Sequence, residues 1–121
     1  MTTSHTANDG PSRELDARVA EVLGRTSIYS AEPCGDDWCG RTRDGLHAHV
    51  PHYTTDPDDT APVAELLAWL LQHGTAGLTI GMYDSRWRAR EYGQAIRYAD
   101  GTSLKHAVAL LVLEVARWET K

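Results

Sequence analysis

The sequence predicts an α+β domain in which helices cover an antiparallel sheet. Segments with helical apolar spacing lie at the beginning, middle and end of the 121-residue chain. Three strand-like segments lie together between the second and third helices, and the short turns between them make neighbouring strands antiparallel. The length suits one domain with a modest core. We therefore predict a flexible tail over residues 1–12 and a single domain over residues 13–121.

The first predicted helix begins after Ser12, whose hydroxyl can cap it, and ends at Gly24. Its apolar stripe consists of Leu15, Val19, Val22 and Leu23. The following residues, 25–55, are rich in Gly, Asp, Pro and Thr. Because so long a loop without structure is unusual in a compact domain, we expect short strands at 27–30 and 46–50.

The second predicted helix begins after Thr55 or Asp56, or after Thr60 if Pro62 is to lie in its first turn. Its apolar stripe consists of Val63, Leu66, Leu67, Leu70 and Leu71. Three strands are then predicted, at 77–84, 86–91 and 94–99, with turns at 84–85 and 92–93.

The last predicted helix covers Ser103 to Glu119, with Thr102 as its cap, and contains the segment AVALLVLEVA. This segment is apolar on most sides, so the helix is either central or at a subunit interface. A two-layer packing leaves no place for the side chains of Leu110, Val112 and Leu113 in the core stripe. We therefore predict that a second copy buries them, in a homodimer or higher homo-oligomer.

Net charge, apolar runs and the first residues of the chain argue against several classes of protein. A net charge of −5 disfavours general nucleic-acid binding, which requires many basic groups. No apolar run approaches the roughly 20 residues of a membrane span, so no membrane partner is expected. The first residues lack a secretion signal, so we predict a cytoplasmic protein. Thiols stay reduced there, and a disulfide between Cys34 and Cys39 is not expected.

A candidate structural zinc site lies in the segment 34–52. Cys34 and Cys39 have the spacing of a paired knuckle, while His47 and His49 would point to one face of a strand. Metal binding would also explain why a long loop is tolerated. The alternative, small buried cysteines and solvent-facing histidines, is favoured because the spacing matches no common zinc module.

A second candidate site is the arginine row RWRAR. On a strand, Arg86, Arg88 and Arg90 project from one face, and their guanidinium groups suit phosphates or carboxylates. The opposite face would carry Trp87 and Ala89 into the core. The alternative is a solvated strand face whose arginines pair with acids such as Asp84 and Glu91. A sandwich covers both faces of its sheet. The arginines must therefore lie at an uncovered part of the sheet or be paired with acids.

A third candidate is the segment Tyr53-Thr54-Thr55, which precedes the second helix. The favoured interpretation is a helix cap, and a compatible second one is a ligand-facing loop that presents free backbone N–H groups. Catalysis is not expected, because the chain has no glycine-rich phosphate loop and no nucleophile elbow. The acids near the two cysteines would also raise a thiol pKa rather than lower it.

Four segments resemble the phage ABA-sandwich family: LDARVAEVLG at 15–24, PHYTTD at 51–56, Trp87 with Ala89, and SLKHAVALLVL at 103–113. The resemblance implies a small α-β-α sandwich with three helices and a mostly antiparallel sheet, encoded by a phage or prophage and acting in the host cytoplasm. It implies no known catalytic residues. The chain departs from the family in having Thr54 where Ser is usual, and in its Cys/His-rich loop.

The expected function is that of a non-enzymatic phage or prophage protein that binds an anionic small molecule. Counter-defence by sequestration of a nucleotide-like host signal fits the arginine row. One alternative is an inhibitor or adaptor that binds a host protein through the acidic loop and the last helix. Another is a small domain built around structural zinc.

Overall fold

The computed structural model describes residues 10–29, 38–55, 61–93 and 96–119. Within them lie three helices and two three-stranded antiparallel sheets, which confirms the predicted α+β class. The elements are α1 (Arg13–Val22), β1 (Thr26–Tyr29), β2 (Cys39–Arg41), β3 (His47–His49), α2 (Ala61–Gln72), β4 (Gly77–Tyr83), β5 (Arg86–Tyr92), β6 (Ile96–Gly101) and α3 (Leu104–Glu119). None of the described helices is long and apolar enough to cross a membrane.

Helix α1 begins and ends as predicted. The Ser12 hydroxyl accepts a hydrogen bond from the Leu15 backbone N–H at 3.0 Å, which satisfies a donor of the first turn. The chain leaves the helix at Gly24, where φ is +102°, a conformation that favours glycine. Leu15, Val19 and Leu23 are buried in the core, as their spacing predicts.

The first sheet has the strand order β1-β2-β3. The sequence predicted β1 and β3 and missed β2. Strand β2 is only three residues long, and its sequence Cys-Gly-Arg contains no β-branched or aromatic residue. Its identity as a strand comes from pairing with both neighbours rather than from its own composition.

The second sheet is a meander of order β4-β5-β6, with β5 in the centre. Asp84 and Ser85 form the predicted turn, and both have positive φ, 52° and 67°. This conformation suits a two-residue hairpin, whose twist matches that of its strands. Tyr83 consequently pairs with Arg86, and this register continues along the whole hairpin.

Helix α2 buries a different stripe from the predicted one. Leu66 and Leu70 are buried, but Leu71 is 70% exposed and Trp69 is 5% exposed. The prediction for Leu71 was wrong because Trp69 takes the inward position next to Leu70. The Trp69 indole also stacks on the ring of His73, with ring centroids 3.8 Å apart.

Helix α3 is the centre of the domain. It contacts β5, β6, α1 and α2, and every residue from Lys105 to Val115 is buried. Leu110, Val112 and Leu113, which we assigned to a subunit interface, are therefore buried by the chain's own elements. Their burial removes the argument for a dimer from these three residues, and the homo-oligomer stays a prediction.

The cap of α3 is Ser103 rather than the predicted Thr102. The Ser103 hydroxyl accepts from the His106 backbone N–H at 3.1 Å, and its carbonyl accepts from Ala107 at 2.9 Å. Thr102 instead donates its backbone N–H to His106 Nδ1 at 2.9 Å. The bond from the His106 N–H to the Ser103 hydroxyl and the bond from the Thr102 N–H to the His106 ring run in opposite directions and together close the first turn.

Candidate functional site on the open face of the second sheet

The two faces of the second sheet differ in what covers them. Ala89 and Ala99 are buried on the face that contacts α3. At Gly101 the helix comes so close that a Cβ atom would lie 2.6 Å from the Ala107 nitrogen. The opposite side, which we call the open face, carries Tyr83, Arg86, Arg88, Arg90, Tyr92, Tyr98 and Asp100. Tyr83 and Tyr98 are each 44% exposed, so no described element covers them.

Arg88 lies at the centre of the open face and is held in place. Its Nε and Nη2 donate to the two carboxylate oxygens of Asp100 at 2.7 and 3.0 Å. Its guanidinium carbon lies 4.9 Å from the Tyr83 ring centroid and 4.4 Å from that of Tyr98. The hydrogen bonds to Asp100 raise the pKa of Arg88. Arg88 is therefore a fixed positive charge that organises both tyrosines.

Arg88 pairs with neither Asp84 nor Glu91, the acids that were predicted as partners of the arginine row. Glu91 is buried on the face that contacts α3, where its carboxylate accepts from Arg97 Nε at 2.6 Å and from Thr75 Oγ1 at 3.1 Å. Asp84 is exposed in the turn. The register between β5 and β6 explains this difference, because it places Asp100 of β6 directly opposite Arg88.

Arg86 and Arg90 flank the fixed arginine, and each has a tyrosine as its cross-strand neighbour. Arg86 is exposed and pairs with Tyr83, while Arg90 pairs with Tyr98 and lies 5.9 Å from its ring centroid. Two hydrogen bonds lower the pKa of the exposed Tyr92. The one with Arg90 has the larger effect, and the one with Thr79 the smaller. The open face thus has two arginine–tyrosine pairs, one on each side of Arg88.

The charge of the open face is opposite to that of the whole chain. It carries three arginines and one aspartate, a formal charge of +2, on a protein whose net charge is −5. Guanidinium groups can donate to phosphate or carboxylate oxygens, and exposed phenol rings can stack on planar rings. The arrangement is suited to binding an anion that contains a ring.

The residues Tyr53, Thr54 and Thr55, which we predicted as ligand contacts, bond to the protein itself. Tyr53 is fully buried and donates its hydroxyl to Glu65 at 2.8 Å. Burial, with the nearby Glu65 carboxylate, raises the pKa of Tyr53. The Thr54 and Thr55 hydroxyls both donate to the Asp16 carboxylate, at 2.7 and 2.6 Å. These three residues lie away from the open face in the fold and serve the packing of the domain.

Asp16 is a buried centre of hydrogen bonding that the sequence did not reveal. Besides the two threonine hydroxyls, it accepts from the Thr54 backbone N–H at 2.6 Å and from Arg13 at 2.8 Å. It ties α1 to the segment before α2, and Lys105 of α3 donates to the Thr55 carbonyl at 2.8 Å. The available signal was an acid directly after Leu15 in an apolar stripe.

Of the four predicted zinc ligands, the described residues include Cys39, His47 and His49, and Cys34 lies outside them. Strand pairing places Cys39 opposite His49, with Sγ 3.6 Å from Nδ1, and places His47 opposite Arg41. Cys39 is buried and disulfide-bonded, contrary to the expectation of reduced thiols. Among the described residues, no group of three or more His, Cys, Asp or Glu side chains could hold a metal ion. Structural zinc stays a prediction, and it requires Cys39 in its reduced thiolate form.

Sequence reasoning found the arginines of the open face and missed Tyr83, Tyr98 and Asp100. These lie on strands that flank β5, and only the register shows that they share its outer face. The signal was present as alternation within each strand, but alternation alone does not say which residues of two strands are neighbours.

No family model, curated protein or solved structure matches the chain. The resemblance to the phage ABA-sandwich family therefore stays a prediction based on the four short segments.

Proposed function

We propose that this protein is a non-enzymatic binding protein whose open face binds a nucleotide-like anion. The observation that carries the proposal is the pair of arginine–tyrosine neighbours on either side of Arg88, on a positively charged face of an acidic chain. Sequestration of a host signal, the role inferred from the arginine row and the phage resemblance, is a prediction within this proposal.

Each arginine–tyrosine pair has the two groups that one nucleotide requires. A guanidinium presents a planar fork of donors that matches phosphate oxygens. A neighbouring tyrosine ring can stack on a base, a contact that contributes about 1–3 kcal/mol per base in proteins that bind single strands. Arg90 with Tyr98 is the better formed pair, because the two side chains already lie within 5.9 Å of each other.

The spacing of the two pairs indicates the size of the ligand. Arg86 and Arg90 are four residues apart on β5, which corresponds to roughly 13 Å along a strand. A mononucleotide can occupy one pair, whereas a ligand with two nucleotide units can occupy both. We therefore expect a dinucleotide to bind more tightly than a mononucleotide.

The alternative of a host-protein inhibitor receives less support from the structure. It relied on the last helix as a contact surface, and that helix is buried from Lys105 to Val115. Trp118, near its end, is 50% exposed and offers a small apolar surface. The acidic loop at 31–37 lies outside the described residues.

Calorimetric titration tests the proposal with adenosine monophosphate and the dinucleotide pApA, which carries one phosphate for each base, as ligands. We expect heat of binding for the native protein and weaker binding as salt increases, because exposed charges are screened. Arg90→Gln should weaken binding roughly ten- to a hundredfold, the effect of losing a hydrogen bond to a charged group.

A matched control is Arg18→Gln, which removes the same charge from the exposed side of α1. It should leave affinity almost unchanged, because Arg18 lies on a different element from the open face. Absence of heat with both ligands would contradict the proposal. Equal weakening by Arg18→Gln and Arg90→Gln would show that net charge, not the open face, determines binding.

A further inference from the structure

A cavity of about 290 Å³ lies away from the open face, between the end of α1, the turn after β2 and one side of α2. Its wall includes Leu23, Arg25, Arg43, Glu65, Trp69 and Gln72. The volume is at the lower end of the range for small-molecule sites, and the mixture of apolar wall and a few polar groups is typical of them.

Arg25 supplies an unsatisfied donor at this cavity. It directly follows Gly24, and its side chain is only 16% exposed. Its Nη2 lies 3.7 Å from Glu65 Oε1, an oxygen that already accepts from the Tyr53 hydroxyl at 2.8 Å. The buried Nε has no hydrogen-bond acceptor in the described part of the chain. A buried donor without an acceptor is unfavourable, and the only ion pair of this guanidinium group with Glu65 in the described part of the chain is long. The Arg25 guanidinium group would therefore gain from a ligand oxygen at the cavity.

Arg43 brings a second guanidinium to the same cavity. A Cβ atom at residue 24 would lie 2.9 Å from Arg43 Nε, so the side chain passes directly over the backbone of Gly24. The missing side chain at Gly24 is what allows this approach. Arg43 is exposed, and it extends from the turn that connects β2 and β3. Two guanidinium groups on separate elements thus border one cavity.

The lining also limits the charge of a ligand. Asp44 and Glu65 line the cavity together with Arg25 and Arg43, so the formal charges of the lining cancel. A dianionic phosphate would be repelled by the two carboxylates, whereas a single planar carboxylate matches the guanidinium fork. Trp69, Leu23 and Ala68 offer an apolar wall for the remainder of the molecule.

We propose that this cavity is a second binding site, for a small monocarboxylate attached to an aromatic or apolar ring. The carboxylate accepts from the guanidinium groups of Arg25 and Arg43, and the ring lies against Trp69. This site is independent of the open face, since the two share no residue.

A ¹H–¹⁵N spectrum of the arginine side chains tests the site directly, with benzoate as the probe. We expect the Arg25 Nε–H signal to move and saturate as benzoate is added. Benzyl alcohol, which has the ring without the carboxylate, should leave it in place. Inorganic phosphate should move it less than benzoate does at equal concentration.

Variants then assign the partners. Arg43→Gln should weaken benzoate binding about tenfold or more. Arg18→Gln on α1 should leave the response of the Arg25 signal unchanged. An Arg25 signal that does not respond to millimolar benzoate would overturn the proposal, and the native protein alone is sufficient for that measurement. A response that Arg43→Gln leaves intact would overturn the assignment of the second guanidinium.

Discussion

Replacing Arg88 by alanine tests the arrangement of the open face. If the arginine row binds a phosphate, the sequence predicts that this variant loses ligand binding with its fold intact, because the Arg88 side chain is not part of the core stripe. The structure instead shows Arg88 with two hydrogen bonds to Asp100 and two tyrosine rings beside its guanidinium group. We now expect Arg88→Ala to remain folded with a reduced free energy of unfolding.

The magnitude follows from the exposure of the partners. The Arg88 and Asp100 side chains are 25% and 22% exposed, so solvent screening limits their ion pair to about 1 kcal/mol or less. The contact with each tyrosine ring contributes about 0.5 kcal/mol at an exposed site. Together these give a loss of about 1–2 kcal/mol. Arg88→Lys should lose nearly as much, because lysine lacks the planar fork.

Urea unfolding followed by tryptophan fluorescence measures the difference. Arg86→Ala is the matched control, since Arg86 lies on the same strand and face but is exposed. It should leave the free energy of unfolding almost unchanged. Equal effects of Arg88→Ala and Arg86→Ala would refute the reasoning, because the contacts of Arg88 would then contribute nothing to stability.

Three further changes test the buried polar groups. Asp16→Asn places an amide NH₂ where several donors converge, and it should lower the free energy of unfolding by about 3 kcal/mol. Glu14 is exposed on the same helix, so Glu14→Gln should have little effect in the same urea experiment. Glu91→Gln breaks a buried ion pair with Arg97 and should lose about 3 kcal/mol; an unchanged unfolding midpoint would contradict this. Tyr53 has a raised pKa, so the folded state keeps its proton above about pH 10 while the unfolded state releases it, and stability falls as pH rises. Tyr53→Phe should therefore show a shallower alkaline decline, and an identical slope would contradict the assignment.

The sequence predicted the second sheet well because local signals agree there. Strands β4 and β5 alternate, and Asp84-Ser85 favours a tight turn between them. The same reasoning missed β2, whose three residues carry no local signal and depend on long-range pairing. In α2, apolar spacing fitted both Leu71 and Trp69, and only tertiary packing determines which one is buried.

The candidate site was predictable only in part. Alternation correctly placed the arginines on one face of β5, but their acidic partner was sought among nearby residues, Asp84 and Glu91. Asp100 lies twelve residues from Arg88 and becomes its neighbour through strand register. Tyr53 and Thr54 were assigned to a helix cap or a ligand because they precede a helix. The position of Asp16 directly after Leu15 was a signal of burial, but nothing local identifies Thr54 as its partner.

The measurement that tests the central claim most directly is an aromatic ¹H–¹³C spectrum of the native protein during titration with pApA. If the open face binds nucleotides, the ring signals of Tyr83 and Tyr98 should move together and saturate. The ring of Tyr53, which is buried beside Glu65, should stay in place as an internal control. Tyrosine rings of the open face that do not respond, with binding detected elsewhere or not at all, would contradict the proposed function.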